Sequence, residues 1–207
     1  MQITELFFSL QGEGKNVGLP TIFVRTTGCN LRCSYCDTTY AYEDGESMEI
    51  PDIVAAMHQW SCHRVCLTGG EPLLQEELAE LVDVLLTKGY TVEVETNGSQ
   101  DISWLTKKEA SISMDIKCPS SGMHMEMNMD NIGLLRPRDQ LKFVIGTRED
   151  YDYAQGIINR YMPRCQVVMQ SVWGSNVPLA DWIIRDEIDV RLSMQLHKIL
   201  WGDRKGL

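Results

Sequence analysis

The chain of 207 residues is 43% hydrophobic, enough for one folded unit that buries about 70% of its unfolded surface, which excludes a disordered or fibrous protein. Asp and Glu number 29 against 19 Lys and Arg, a net charge of −10, and that sign argues against nucleic acid as a direct ligand. Apolar runs fall far short of the roughly 18 residues of a membrane span. The opening Met1-Gln2-Ile3-Thr4-Glu5 lacks the basic stretch of a secretion signal, so a cytoplasmic protein without membrane contact is expected.

In chain order, apolar and β-branched runs of strand length occur at 3–8, 21–26, 64–67, 91–95, 112–116, 141–145, 166–169 and 190–192. Helical patterns lie between them at 51–58, at 75–87 (closed by Lys88-Gly89), at 151–161 and at 179–185. No repeat, low-complexity linker or shift of composition marks a boundary, so residues 1–207 read as a single domain. Alternating strands and helices build a parallel α/β sheet. About six core strands are too few for a closed eight-stranded barrel, and an open, partial (β/α) barrel is expected. Such folds carry their chemistry at the carboxyl ends of the strands. Arg25, Thr68-Gly69-Gly70-Glu71, Glu95-Thr96-Asn97-Gly98, Asp115-Ile116-Lys117, Gln170 and Gln195-Leu196-His197 all fall there, on what would be one rim.

Cys29, Cys33 and Cys36 form a C-x3-C-x2-C triplet, a spacing that seven scattered cysteines would produce by chance in roughly 1% of such chains. A zinc site needs a fourth ligand nearby, and the next candidates, His58, Cys62, His63 and Cys66, come more than twenty residues later. Three thiolates without an evident fourth suggest a [4Fe-4S] cluster with one iron open to a small chelator, whereas electron-transfer clusters are held by four cysteines. The triplet, with Tyr35 before its last cysteine, resembles that of the radical S-adenosylmethionine superfamily. The resemblance implies that the amino and carboxylate groups of S-adenosylmethionine chelate the open iron, and that reduction releases a radical that takes hydrogen from substrate. Gly69-Gly70-Glu71, following a strand, is similar to the superfamily segment that holds the methionine amino group.

Gln11 and Glu13 stand beside Gly12 and Gly14, and Arg25 ends a strand. An amide, a carboxylate and a guanidinium on one rim suit a flat heterocycle with amide edges and an acidic substituent. A structural ion pair between Glu13 and Arg25 is the alternative. Together with Cys36-Asp37-Thr38, the stretch 113–122, Leu141-Lys142-Phe143 and Gln195-Leu196-His197-Lys198, these residues resemble the 7-carboxy-7-deazaguanine synthase family over nearly the whole chain. The resemblance implies conversion of 6-carboxy-5,6,7,8-tetrahydropterin to 7-carboxy-7-deazaguanine with loss of ammonia, toward queuosine or archaeosine. It further implies a homodimer of reduced radical-SAM barrels and an external one-electron reductant such as flavodoxin or ferredoxin. Carried over by residue, it assigns Leu10, Gln11, Gly12, Glu13, Arg25, Thr68, His197 and Leu207 to substrate, with Glu13, Arg25 and His197 catalytic. It assigns Thr38 to Mg²⁺, and Tyr35, Cys36, Asp37, Gly70, Glu71, Thr96, Asn97, Ser113, Asp115, Lys117 and Gln170 to S-adenosylmethionine.

Cys62, Cys66, Cys118 and Cys165 have no spacing for a second cluster and read as small apolar residues. Met123, Met125, Met127 and Met129 alternate with polar residues, as a one-sided strand or flap would, although a packed loop also accommodates them. Two other readings compete: an activating enzyme that makes a glycyl radical on a partner protein, and a non-catalytic zinc or iron-sulfur adaptor.

Overall fold

In Val92-Glu93-Val94-Glu95 valines alternate with carboxylates, a period of two that forms a strand with one apolar and one polar face. The computed structural model, which describes residues 1–175, 177–204 and 206, repeats that division across one sheet. Its strands are β1 (Gln2–Leu10), β2 (Pro20–Thr26), β3 (Glu46–Ser47), β4 (Arg64–Gly69), β5 (Thr91–Thr96), β6 (Ser111–Ile116), β7 (Gln140–Ile145), β8 (Gln166–Ser171) and β9 (Arg191–Ser193). The helices are α1 (Ile50–Met57), α2 (Leu78–Thr87), α3 (Arg148–Tyr161), α4 (Leu179–Arg185) and α5 (Leu196–Trp201).

The strand order is β3-β1-β2-β4-β5-β6-β7-β8-β9, with β3 and β9 as free edges, so the sheet is open. From β2 to β9 neighbours are parallel, giving six full-length parallel strands and a three-residue seventh. β1 runs antiparallel to β2, pairing Phe7 with Phe23 and Glu5 with Arg25. The α/β class and the partial barrel match expectation. All eight expected strands are present, but periodicity carries no direction, and the first one is antiparallel.

Leu67, Val94, Ile112, Met114, Leu141 and Phe143 face the helices and pack with Ile53, Met57, Leu81, Leu85 and Tyr151, all fully buried. Each such side chain contributes about 1.5–3 kcal/mol. The alternate residues, Thr68, Glu95, Asp115, Lys142 and Gln170, face the concave side. No helix among the described residues is long and apolar enough to cross a membrane.

Local chemistry moves several boundaries. The helix expected over 75–87 starts at Leu78, because Pro72–Leu74 forms a separate 3₁₀ turn capped by the Glu71 side chain. Gln75 leaves helical conformation to donate to the Thr27 carbonyl and accept from the Gln2 N–H, both at 2.9 Å. The helix expected from 151 starts at Arg148, where Thr147 and Asp150 form a reciprocal capping box. The methionine alternation is no strand: His124–Glu126 and Met129–Leu134 are 3₁₀ turns, with Met127 buried and Met125 exposed, as in a packed loop. Cys66, Cys118 and Cys165 are buried thiols whose pKa burial pushes up, and His63 packs against Tyr90.

Candidate active site

The cysteine loop leaves the end of β2 through Gly28, whose φ of +96° is open to glycine at little cost. Leu31, 2% exposed, anchors it in the core. Asn97 donates to the Asn30 side chain at 3.0 Å, and Ser34 donates to the Ser120 carbonyl at 2.7 Å, tying the loop to β5 and to the turn after β6. Cys29, Cys33 and Cys36 all line one cavity of about 520 Å³ at the carboxyl ends of the parallel strands, a volume suited to small organic ligands. Burial pushes the Cys33 thiol up, although Lys117 pulls it down.

Gly69-Gly70 crosses directly under this loop. The Gly70 N–H donates to the Thr26 carbonyl at 3.2 Å, and the Glu71 N–H donates to the Gly28 carbonyl at 2.8 Å. Glu71 itself is fully buried behind the cavity wall. Its carboxylate accepts from the Leu73 N–H at 3.0 Å, the Thr96 hydroxyl at 2.9 Å and the Asn97 N–H at 2.6 Å. Burial nonetheless pushes it up to about 7.

A chain of charges crosses the rim. Lys117 pairs with Asp115 at 2.6 Å, Asp115 with Lys142 at 3.2 Å, and Lys142 with Glu13 at 2.7 Å. The Gln195 amide donates to Glu13 at 2.8 Å and to Asp37 at 3.3 Å, and Lys198 pairs with Asp37 at 2.9 Å. Burial works to raise Glu13, Asp115 and Asp37, but the neighbouring ammonium groups win, and Asp37 falls to about 2. Glu13 and Arg25 do not pair with each other. Arg25 Nε donates to Glu5 at 2.7 Å, and its guanidinium lies over the Phe7 and Tyr40 rings. Among the described residues the Tyr35 hydroxyl and Gln170 Oε1 are buried without partners, and both residues line the cavity.

Of the expected site residues the cavity brings together Leu10, Gln11, Gly12, Glu13, Arg25, the three cysteines, Tyr35, Asp37, Thr38, Thr68, Gly70, Thr96, Asn97, Asp115, Lys117, Gln170 and His197. Glu71 and Ser113 lie behind its wall, where the Ser113 hydroxyl accepts from Gln140 at 2.7 Å. Leu207 lies outside the described residues. Thr38 donates to Asp37 at 3.0 Å, and among the described residues no three His, Cys, Asp or Glu side chains are placed for a single metal ion.

Four charged or amide residues of the cavity carry no role expected from the sequence: Glu95 and Gln195, expected only on the rim, and Lys142 and Lys198. Glu95 accepts from Gln11 and from Thr68, both at 3.0 Å. For Glu95 the available signal was a charge inside a strand of a parallel sheet, a position that costs several kcal/mol unless paired.

The profile of the Radical SAM superfamily matches residues 23–128. A 7-carboxy-7-deazaguanine synthase of Methanospirillum hungatei is 41% identical over 202 residues, which cover 97% of this chain and 85% of that protein. The chain belongs to the 7-carboxy-7-deazaguanine synthase family. A second member, from Thermoplasma acidophilum, is 39% identical over the full length of both chains. The crystal structure of QueE from Escherichia coli shares the fold, with a TM-score of 0.80 at 23% identity over 95% of this chain and 94% of that one.

As a member of this family the chain is a radical S-adenosylmethionine enzyme whose cofactors are a [4Fe-4S] cluster and S-adenosylmethionine. The residues present fit both. Three thiols share one cavity with two unpartnered buried polar groups, Gln170 Oε1 and the Tyr35 hydroxyl, beside the carboxylate of Asp115.

Proposed function

We propose that this enzyme contracts the ring of 6-carboxy-5,6,7,8-tetrahydropterin to 7-carboxy-7-deazaguanine with release of ammonia, toward queuosine or archaeosine. The observation that carries this reading is that Gln11, Glu13, Arg25, Thr68 and His197 line the same cavity as the cysteine triplet. Family membership favours it over a glycyl-radical activating enzyme or an adaptor protein.

Cys29, Cys33 and Cys36 would hold the cluster. Gly70, Thr96, Asn97, Asp115, Lys117 and Gln170 would hold S-adenosylmethionine, with Glu71 and Ser113 supporting that wall from behind. When bound, the two groups supply radical abstraction of hydrogen from the substrate. The remaining work falls to side chains. Glu13, kept ionised by Lys142, accepts from N–H groups at the heterocycle's edge. Arg25, its Nε already held by Glu5, turns its two terminal nitrogens to the substrate carboxylate. Thr68 and Gln11, both held by Glu95, present a hydroxyl and an amide to the ring. The His197 ring closes over Gly12.

Thr38 is the place for Mg²⁺, with substrate and water filling the rest of its oxygen shell. We further propose that residues 1–207 act as one unit, as a cytoplasmic homodimer reduced by flavodoxin or ferredoxin. Anaerobic incubation of cluster-loaded protein with S-adenosylmethionine, reductant and 6-carboxytetrahydropterin, read by mass spectrometry, should yield 7-carboxy-7-deazaguanine. An intact cluster without product rejects the reading.

A further inference from the structure

Lys142 is a buried group of the cavity whose second contact, to Asp115, the reaction as described leaves unused. It is 8% exposed and sits on β7 directly beside Asp115 of β6 in the sheet register. Its ammonium touches two carboxylates, Glu13 at 2.7 Å and Asp115 at 3.2 Å. The other oxygen of each is held elsewhere, that of Glu13 by Gln195 at 2.8 Å and that of Asp115 by Lys117 at 2.6 Å. Two ammonium groups therefore balance two carboxylates, and Lys142 stands in the middle of the row. A buried ammonium is tolerated only where its neighbours repay its desolvation, so this position is built for those two partners.

We propose that Lys142 is a positioning residue for the reaction: its ammonium ties Glu13, on the substrate side, to Asp115, on the S-adenosylmethionine side, and keeps Glu13 charged and in place for the heterocycle's N–H edge. The proposal rests on the assignment of Glu13 to the pterin. Hydrogen transfer between two bound molecules depends steeply on their separation, and a tie across the cavity fixes that separation. The other titratable groups around the cavity include Arg25 of β2, Asp37 of the cysteine loop, Glu95 of β5, and His197 and Lys198 of α5. Burial and Asp37 both push the Glu13 carboxyl up, and Lys142, helped by the Gln195 amide, holds it down.

The test is equilibrium binding of 6-carboxytetrahydropterin to cluster-loaded K142M and wild type across pH, alongside the pH profile of kcat/KM. Without the ammonium, the Gln195 hydrogen bond is left to oppose burial and Asp37 at Glu13. The acid limb should move up by about one unit or more; below the shifted limb affinity should fall about tenfold per pH unit, and it should recover at higher pH. A purely structural role would weaken binding equally at every pH. That result, or no change, overturns the proposal. If K142M does not fold, the double variant K142M/E13Q decides: recovery of folding supports the match between ammonium and carboxylate, and failure to recover overturns it. Wild-type protein that binds no pterin overturns both this proposal and the proposed function, whereas wild-type binding with unchanged K142M overturns this one alone.

Discussion

Gly70 shows how tightly single residues build the cofactor side of the site. Its φ is not in the left-handed region, so conformational freedom is not the reason for glycine here. Space is: a Cβ at this position would overlap the Gly28 carbonyl oxygen and come within 2.8 Å of the Cys29 Cβ. Both are backbone or backbone-adjacent atoms that cannot rotate away, so an added methyl must push the cysteine loop off the sheet. Gly70→Ala is expected to reduce iron bound per chain after anaerobic reconstitution, with a parallel loss of turnover. Full iron content in this variant would show that the loop tolerates the displacement. Motifs of this kind were legible in the sequence because their chemistry is local. Cysteine spacing and a Gly-Gly-Glu turn after a strand need no knowledge of the fold. Lys142 was not legible, because a lysine in Leu141-Lys142-Phe143 reads as the solvated face of a strand until the sheet register puts it opposite Asp115.

At the scale of elements, the informative case is α5. Six residues long and without a side-chain cap, it carries no sequence signal strong enough to predict a helix. Tertiary contacts hold it instead. The Leu196 N–H donates to the Gly12 carbonyl at 2.9 Å, Gln195 bridges Glu13 and Asp37, and Lys198 pairs with Asp37. Eight of the nine strands, by contrast, were legible because burial on one face imposes its own period on them; the two-residue β3, exposed at both positions, was not. The helix also explains Gly12, where a Cβ would overlap the His197 imidazole. Gly12→Ala must displace the ring or the helix, and the three atoms nearest the added carbon all belong to His197. We expect this variant to keep its iron content while pterin affinity falls at least about tenfold, the loss of one well-made polar contact. Loss of iron together with affinity would mean that α5 supports the cluster loop as well as the substrate side.

For the whole molecule, the sheet separates stability from chemistry. Its convex face carries the apolar core, and its concave face carries Glu13, Asp115, Lys117 and Lys142, whose mutual attraction is largely spent on their own desolvation. A ligand that fills the cavity therefore adds stability that the apo chain does not have. For a ligand bound by the native state alone, a concentration 100 times the dissociation constant adds about 2.7 kcal/mol. In a chain of this size each kcal/mol moves the midpoint by roughly 2–4 °C, so saturating S-adenosylmethionine should raise the Tm of cluster-loaded protein by about 5–10 °C. Cys33→Ala removes one of the three thiols but leaves the helices and the convex face untouched, so its Tm without ligand should stay close to that of the wild type without its cluster. On the proposed assignment its response to S-adenosylmethionine should vanish, because the cluster that would hold the amino and carboxylate groups needs all three thiols. A shift of equal size in Cys33→Ala would place the binding energy elsewhere in the cavity and remove the triplet from the cofactor site.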